Sequence, residues 1–122
     1  MEHRVGYKIY YEDTDSLGVV YYANYLKYLE RGRTEYVGAR GRPIQLWNRD
    51  GYYFVVYELQ MKFKRSAGLG DEIEVVSRFQ HTSAYRGRFT QRIECRGEVL
   101  VEADVDIVCV DPQQRLREFP AL

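Results

Sequence analysis

Residues 13–25 read DTDSLGVVYYANY, and this stretch decides how the chain is organised. Its first half is polar and ends in Gly18, which is typical of a loop. Its second half leads into a segment in which apolar residues recur every three or four positions, as on one face of an α-helix. Asn24 suits the N-cap of that helix, because its side chain can accept a hydrogen bond from the first turn. The sequence therefore predicts a loop with two carboxylates, Asp13 and Asp15, immediately before a helix N-terminus.

The helix is predicted to run from Asn24 to Gly38, and either Gly38 or Gly41 would end it. Its buried stripe is expected to consist of Tyr25, Leu26, Leu29, Gly32, Arg33, Tyr36 and Val37. A glycine inside a helix costs roughly 1 kcal/mol relative to alanine. Close packing of Gly32 against a sheet would explain its presence, and so would simple tolerance on a partly exposed turn. The segment from Pro43 to Arg49 is compatible with a short second helix.

Five segments alternate between apolar and polar residues, and this period of two predicts β-strands. One segment precedes the loop and four follow the helix, at residues 4–11, 57–64, 72–79, 89–95 and 99–109. The Arg96-Gly97 pair between the last two predicts a hairpin turn. Each strand has one apolar and one polar face, as in antiparallel sheets. We therefore expect the α+β class, with the last four strands in a meander and the helix covering one face.

Length and composition restrict the class of protein. A chain of 122 residues predicts a single domain spanning residues 1–122. Its 18 basic and 18 acidic residues balance, so neither nucleic acid nor an anionic membrane is an expected partner. No apolar run approaches the ~20 residues of a membrane span, and the first residues lack the apolar core of a signal peptide. We expect a cytoplasmic protein without membrane insertion, with Cys95 and Cys109 reduced in the core.

The loop before the helix is the segment most suited to chemistry. A helix N-terminus offers free N–H groups and the positive end of the helix dipole, which together can hold an oxyanion. A carboxylate beside it can attack a carbonyl or activate water, and acyl transfer needs both functions. The alternative is that Asp13 and Asp15 only cap the helix and shape the turn. His3 and His81 are distant in sequence, so no catalytic triad can be argued from spacing.

The stretch from Tyr11 to Tyr25 resembles the signature of the 4-hydroxybenzoyl-CoA thioesterase family. It is most similar to the YbgC-type branch of acyl-CoA thioesterases, which is associated with the Tol-Pal operon. Residues 28–35, 63–71 and 108–112 fit the same branch, so the resemblance covers nearly the whole chain. It implies a hotdog fold, in which a curved five-stranded antiparallel sheet wraps around one long helix. It also implies a homodimer or homotetramer with composite active sites.

The resemblance assigns roles to individual residues. The second acid of the Asp-x-Asp pair is catalytic in this family, and that position is Asp15. Backbone N–H groups near Tyr22 are expected to polarise the thioester carbonyl, although many members carry His where this chain has Tyr. Substrate-binding residues are expected at Gly18, Val19, Tyr21, Ser66, Arg86 and Arg88, with the two arginines near the phosphates of coenzyme A. Asp13 is expected to order the loop, and Glu30 to be an exposed helix charge beside Arg33 or Arg31.

The expected activity is hydrolysis of a short-chain or aromatic acyl-CoA to the free acid and CoA. No metal and no organic cofactor is expected, and coenzyme A enters only as part of the substrate. Two alternatives stay open. One is a thioesterase that acts on acyl-carrier protein, and the other is a non-catalytic acyl-binding or scaffold protein of the Tol-Pal envelope system.

Overall fold

The computed structural model describes residues 1–122 and contains five strands and two helices. In chain order these are β1 (His3–Lys8), α1 (Tyr25–Ala39), α2 (Ile44–Arg49), β2 (Tyr53–Phe63), β3 (Glu72–His81), β4 (Arg86–Cys95) and β5 (Glu98–Val110). Short 3-10 turns occupy Tyr11–Asp13 and Tyr22–Asn24. One curved antiparallel sheet packs against one long helix, which confirms the α+β class and the hotdog fold.

The order of the strands corrects the predicted meander. The sheet runs β1-β3-β4-β5-β2, so only β3, β4 and β5 follow one another as neighbours. β2 crosses to the far edge and pairs with β5 from Tyr53 opposite Val110 to Phe63 opposite Val101. β5 is the longest strand and matches β2 along its whole length, whereas the six-residue β1 pairs with β3. The alternation of residues predicted the strands but carried no information about their neighbours.

Helix α1 packs its buried stripe against the middle of the sheet. The buried residues are Tyr25, Tyr28, Leu29, Gly32, Tyr36 and Val37. Tyr28 therefore replaces the predicted Leu26, whose side chain is 43% exposed. A Cβ on Gly32 would lie 2.4 Å from Cγ1 of Val75, so the glycine is explained by close packing and not by tolerance. The helix ends at Ala39, and Gly41 follows with a φ of +104°.

The start of α1 differs from the prediction. Asn24 has helical dihedral angles and its side chain caps nothing. Instead, Nδ2 of Asn24 donates to the backbone oxygen of Asp13 at 3.0 Å. The chain enters helical geometry after Tyr21, through the 3-10 turn that precedes α1. Asn24 therefore occupies the predicted N-cap position of α1 but makes no capping bond, because its amide side chain bonds to the loop instead.

The strand boundaries shift by a few residues. β1 ends at Lys8, three residues earlier than predicted, and β2 starts at Tyr53, four residues earlier. The hairpin between β4 and β5 is confirmed: Arg96 and Gly97 both have positive φ, at 52° and 78°, as a two-residue turn requires. Both cysteines are free and buried, as predicted. Neither helix has the length and apolar character that a membrane crossing demands.

The edge strand β2 breaks the rule of one apolar and one polar face. Six of its apolar side chains are 37–51% exposed: Tyr53, Val55, Val56, Tyr57, Leu59 and Phe63. Because β2 pairs only with β5, its other edge presents unpaired backbone groups. An exposed edge with apolar side chains is a template for pairing with another strand.

Candidate active site

The loop with the two carboxylates folds into a small closed hairpin. The N–H of Asp15 donates to Val19 O at 2.9 Å, and Thr14 bridges to Val20. At the tip, Oδ1 of Asp15 accepts from Leu17 N at 2.8 Å, while Gly18 takes the positive φ of +80° that the turn requires. Asp15 is half-buried. Its second carboxylate oxygen makes no hydrogen bond within the chain, so it is free to meet a substrate or water.

Asp13 holds the base of this hairpin. Its Oδ2 accepts hydrogen bonds from the N–H of Tyr10 at 3.0 Å and from the hydroxyl of Tyr28 at 2.7 Å. Its backbone oxygen accepts from Tyr21 N and from Nδ2 of Asn24, both at 3.0 Å. Oδ2 and the backbone oxygen of Asp13 thus accept two hydrogen bonds each, whereas Oδ1 has no partner within the chain. These four bonds agree with the expectation that Asp13 orders the loop.

The start of the helical segment presents two free donors. Asn24 N donates to Tyr21 O at 2.8 Å and closes the first turn. The N–H groups of Tyr22 and Ala23 precede that bond, and neither has an acceptor within the chain. Free N–H groups at a helix start attract negative charge. The Tyr22 ring is 62% exposed and lies edge-on against Phe63, with the ring centroids 6.0 Å apart.

A neighbouring loop supports the hairpin from the other side. Val20 N donates to Ala67 O at 2.9 Å, and Leu69 N donates to Gly18 O at 3.0 Å. Ala67 is itself held to the helix, because its N–H donates to the hydroxyl of the buried Tyr25 at 3.0 Å. Ser66 precedes Ala67 and is exposed beside this contact. The structure therefore brings Ser66 to the same end of the molecule as Asp15 and the residues around Tyr22.

Arg86 and Arg88 do not join this group within one chain. Arg86 pairs with Val108 on β5, whereas Phe63, beside Tyr22, pairs with Val101. Val101 and Val108 are separated by roughly 23 Å of extended strand. The predicted substrate-binding arginines therefore lie at the opposite end of the sheet from Asp15.

The two arginines also differ in their partners. Arg88 forms two hydrogen bonds with the buried Asp106, at 2.6 and 3.0 Å, and these bonds hold the pKa of that carboxyl below its ordinary value. The same pair raises the pKa of Arg88. Arg86 has no carboxylate partner, and its guanidinium lies 5.1 Å from the centre of the Tyr57 ring. Arg86 is consequently the one of the two that is free for a phosphate.

The helix carboxylate Glu30 is engaged in the pair that the sequence predicted. It accepts from Arg33 at 2.5 Å, and Arg33 also donates to Oε1 of the buried Gln91 at 3.0 Å. Burial lowers the pKa of Arg33, while Glu30 acts in the opposite direction. Glu30 is therefore an exposed partner of Arg33.

Sequence reasoning missed two features. One is an apolar cavity of about 450 Å³ between α1 and the first half of β2, whose lining includes Val37, Ile44, Phe54, Val56 and Ile107. The other is the buried position of Tyr28, which follows from the sequence only when the helix stripe is traced from Tyr25 in steps of three and four residues. The cavity could not be inferred, because it depends on β2 lying at the far edge.

Neither histidine contacts the loop that carries Asp15. His81 Nε2 lies 2.8 Å from Pro120 O, and the His3 ring packs edge-on against Tyr36 on the other side of the core from the loop. No group of three or more His, Cys, Asp or Glu side chains is close enough together to hold a metal ion. The groups without a partner at the loop include the second oxygen of Asp15 and the backbone N–H groups of Tyr22 and Ala23.

Comparison with known proteins gives a consistent result. Residues 17–102 match the family model of the Thioesterase superfamily. The chain is 37% identical over 106 residues to the acyl-CoA thioester hydrolase YbgC of Escherichia coli O6:H1, covering 86% of this chain and 79% of that protein. It is 36% identical over 105 residues to the acyl-CoA thioesterase YbgC of Haemophilus influenzae, covering 85% and 77%. A crystal structure of a probable thioesterase from Bartonella henselae superposes with a TM-score of 0.93 at 30% identity, covering 98% of this chain and 100% of that one.

Proposed function

The chain belongs to the Thioesterase superfamily and is a thioester hydrolase, and from this premise we propose that it hydrolyses an acyl-CoA with Asp15 as its catalytic carboxylate. One observation carries the assignment of the site. A carboxylate with a free oxygen and two N–H groups without acceptors lie at the same junction between the loop and α1. The carboxylate supplies the attack, and the N–H groups of Tyr22 and Ala23 receive the negative charge on the carbonyl oxygen.

Two chemical routes start from this arrangement. In the first, an Asp15 oxygen attacks the thioester carbon, the C–S bond breaks, and CoA leaves as a thiolate. Water then hydrolyses the mixed anhydride and regenerates Asp15. In the second, Asp15 takes a proton from water while that water attacks the carbonyl. Both routes end in the free acid and CoA, and both need no strong general acid because a thiolate is a good leaving group.

The acyl group needs an apolar compartment, and the cavity beside β2 provides one. Its volume of about 450 Å³ suits a short aliphatic chain or a single aromatic ring. The cavity lies near Val55 and Val56, however, whereas the loop that carries Asp15 leads to Tyr22, whose ring lies against Phe63 at the other end of β2. A complete site therefore needs a second copy of the chain.

We propose that two copies pair along their exposed β2 edges. β2 runs from Tyr53 to Phe63, so an antiparallel pairing about its centre sets Phe63 of one copy opposite Tyr53 of the other. Asp15 of one copy then lies at the end of the sheet where the second copy has its apolar cavity on the helix face and Arg86 on the opposite face. The exposed apolar side chains of β2 support this arrangement, because burial of such a surface drives association. Two such dimers can further assemble into a tetramer.

Arg86 is the proposed contact for the phosphates of coenzyme A, since its guanidinium has no carboxylate partner. Arg88 is proposed to support that strand through Asp106, and Ser66, Gly18, Val19 and Tyr21 to shape the carbonyl site. The same proposal includes a cytoplasmic location, no metal and no organic cofactor.

Release of free thiol from a panel of acyl-CoAs and matching acyl-carrier-protein thioesters tests the proposal. Asp15→Asn keeps the size of the side chain and is expected to lose at least about a hundredfold in kcat, which is ~2.7 kcal/mol of barrier. Glu12→Gln is the matched control, because Glu12 is an exposed acid on the same segment with no hydrogen-bond partner, and it should retain the wild-type rate.

The alternatives are outcomes of the same experiment. Faster turnover of the carrier-protein thioesters than of the CoA esters would identify the carrier protein as the substrate. Binding of acyl-CoA without release of thiol would support the scaffold protein of the Tol-Pal envelope system. Wild-type rates in Asp15→Asn would remove Asp15 from the mechanism.

A further inference from the structure

One buried hydrogen bond connects the active-site loop to the helix. The hydroxyl of Tyr28 donates to Oδ2 of Asp13 at 2.7 Å, and the Tyr28 side chain is only 1% exposed. Tyr7 packs against the Tyr28 ring with the centroids 5.7 Å apart, and Arg31 lies over the ring. The tyrosine is therefore held from several sides, so its hydroxyl points at the carboxylate from a fixed position.

Asp13 connects the fixed Tyr28 hydroxyl to the chain segments on both sides of the site. Oδ2 also accepts from Tyr10 N, which ties the segment after β1, and the backbone oxygen accepts from Tyr21 N, which ties the entry to the helix. Asp15 lies two residues after Asp13, and the free N–H of Tyr22 follows Tyr21 directly. The hairpin between them is closed by its own hydrogen bonds, so the position of its base, where Tyr21 N donates to Asp13 O, sets the position of the whole hairpin.

The Tyr28 hydroxyl remains a hydrogen-bond donor over the working range of pH. Burial, and then its contact with Asp13, raise the pKa of Tyr28 above its ordinary value. The hydroxyl therefore keeps its proton and can donate to Oδ2 of Asp13.

We propose that Asp13 and Tyr28 are a positioning pair that sets the distance between the Asp15 carboxylate and the free N–H groups of Tyr22 and Ala23. This inference rests on the proposed function of Asp15. The pair acts through the protein, because Oδ2 of Asp13 is bonded to both the Tyr28 hydroxyl and Tyr10 N, while Oδ1 has no partner within the chain. Displacement of a reacting group by about 1 Å can cost up to a hundredfold in rate, so a loosened base should lower kcat.

The test measures kcat and KM for thiol release by three single variants. Tyr28→Phe and Asp13→Ala remove the hydrogen bond and are expected to lower kcat about tenfold, with KM within about twofold of wild type. Asp13→Asn keeps an acceptor oxygen for Tyr28 and should stay within about threefold of wild type. If Asp13 were instead a catalytic acid, Asp13→Asn would be as inactive as Asp13→Ala, and that result would overturn the proposal.

A control and a double variant separate positioning from loss of folded protein. Tyr36→Phe removes the hydroxyl of another buried tyrosine of α1, one without a hydrogen-bond partner there, and should keep the wild-type kcat. In an Asp15→Asn background Tyr28→Phe should change the residual rate by less than about twofold, because no attacking carboxylate remains to be positioned. An unchanged kcat in Tyr28→Phe, with Asp15→Asn inactive, would refute the positioning pair alone. A fully active Asp15→Asn would refute the proposed function itself.

Discussion

Gly32 is the point at which the helix comes closest to the sheet, and replacing it gives a quantitative prediction. In Gly32→Ala the new Cβ would lie 2.4 Å from Cγ1 of Val75 and 3.2 Å from Nε2 of Gln91. Both neighbours are buried and cannot swing away. Forcing an extra methyl group into a packed core costs about 1–3 kcal/mol, while alanine gains about 1 kcal/mol in helix propensity. A contact of 2.4 Å is severe, so we expect a packing cost in the upper half of this range, about 2–3 kcal/mol, and a net destabilisation of about 1–2 kcal/mol.

Gly38 provides the matched control, because it lies in the same helix and nothing is within 4 Å of its Cβ position. Gly38→Ala should therefore show the propensity gain alone and stabilise the protein by about 0.5–1 kcal/mol. For a chain of this size 1 kcal/mol corresponds to about 4 °C in Tm, so the two variants should differ by roughly 8 °C. Thermal and urea unfolding at one fixed protein concentration measure this, since association also raises Tm.

A double variant identifies the contact responsible. Val75→Ala removes the methyl group that the new Cβ would meet, so Gly32→Ala should be much less harmful in that background. The coupling between the two substitutions should exceed the about 0.5 kcal/mol typical of independent sites. If Gly32→Ala stabilises the protein as much as Gly38→Ala does, the close approach of helix and sheet is wrong.

The other predictions concern a buried donor, an ion pair and the edge strand. Tyr25→Phe should lower the free energy of unfolding by about 1–3 kcal/mol, because the substitution leaves the buried Ala67 N–H without an acceptor. Urea unfolding measures this change, and an unchanged midpoint would contradict the prediction. Arg88 lowers the pKa of Asp106, so the pair stabilises the fold above the unfolded pKa and the effect is lost as pH falls through the lower folded pKa. The free energy of unfolding of Arg88→Ala, measured with urea, should therefore fall by less than that of wild type between pH 7 and pH 3. Equal falls in the two proteins would refute this. Leu59→Lys places a charge among the exposed apolar side chains of β2, so this variant should sediment as a monomer and release no thiol from acyl-CoA. An active dimer would exclude pairing along this edge.

The elements of the fold could be predicted because their causes are local. The alternation of apolar and polar residues predicted the strands, and the recurrence of apolar residues every three or four positions predicted α1. The Arg96-Gly97 pair predicted the hairpin, because a two-residue turn requires positive φ at both of its residues. The position of β2 could not be predicted in this way. Period-two alternation states which residues share a face, and strand neighbours depend instead on matched lengths and on the crossover between β2 and β3.

The site was predicted in part for the same reason. Asp15 and the donors near Tyr22 are close in sequence, so one loop and one helix start bring them together. Asn24 failed as an N-cap because its amide found a partner eleven residues back, at Asp13, which no local pattern reveals. Arg86 lies at the other end of the sheet, so the proposed contribution of Arg86 requires the proposed second copy, and a residue pattern does not state how two copies pair.

The structure of the protein bound to a non-hydrolysable ketone analogue of its preferred acyl-CoA tests the assignment of Asp15 and the helix N-terminus most directly. We expect the ketone oxygen to accept hydrogen bonds from Tyr22 N and Ala23 N at about 2.9 Å. We also expect either the free oxygen of Asp15 at about 3–3.5 Å from the ketone carbon or one water between the two. A ketone bound away from this junction, with the two N–H groups facing solvent, would contradict the assignment.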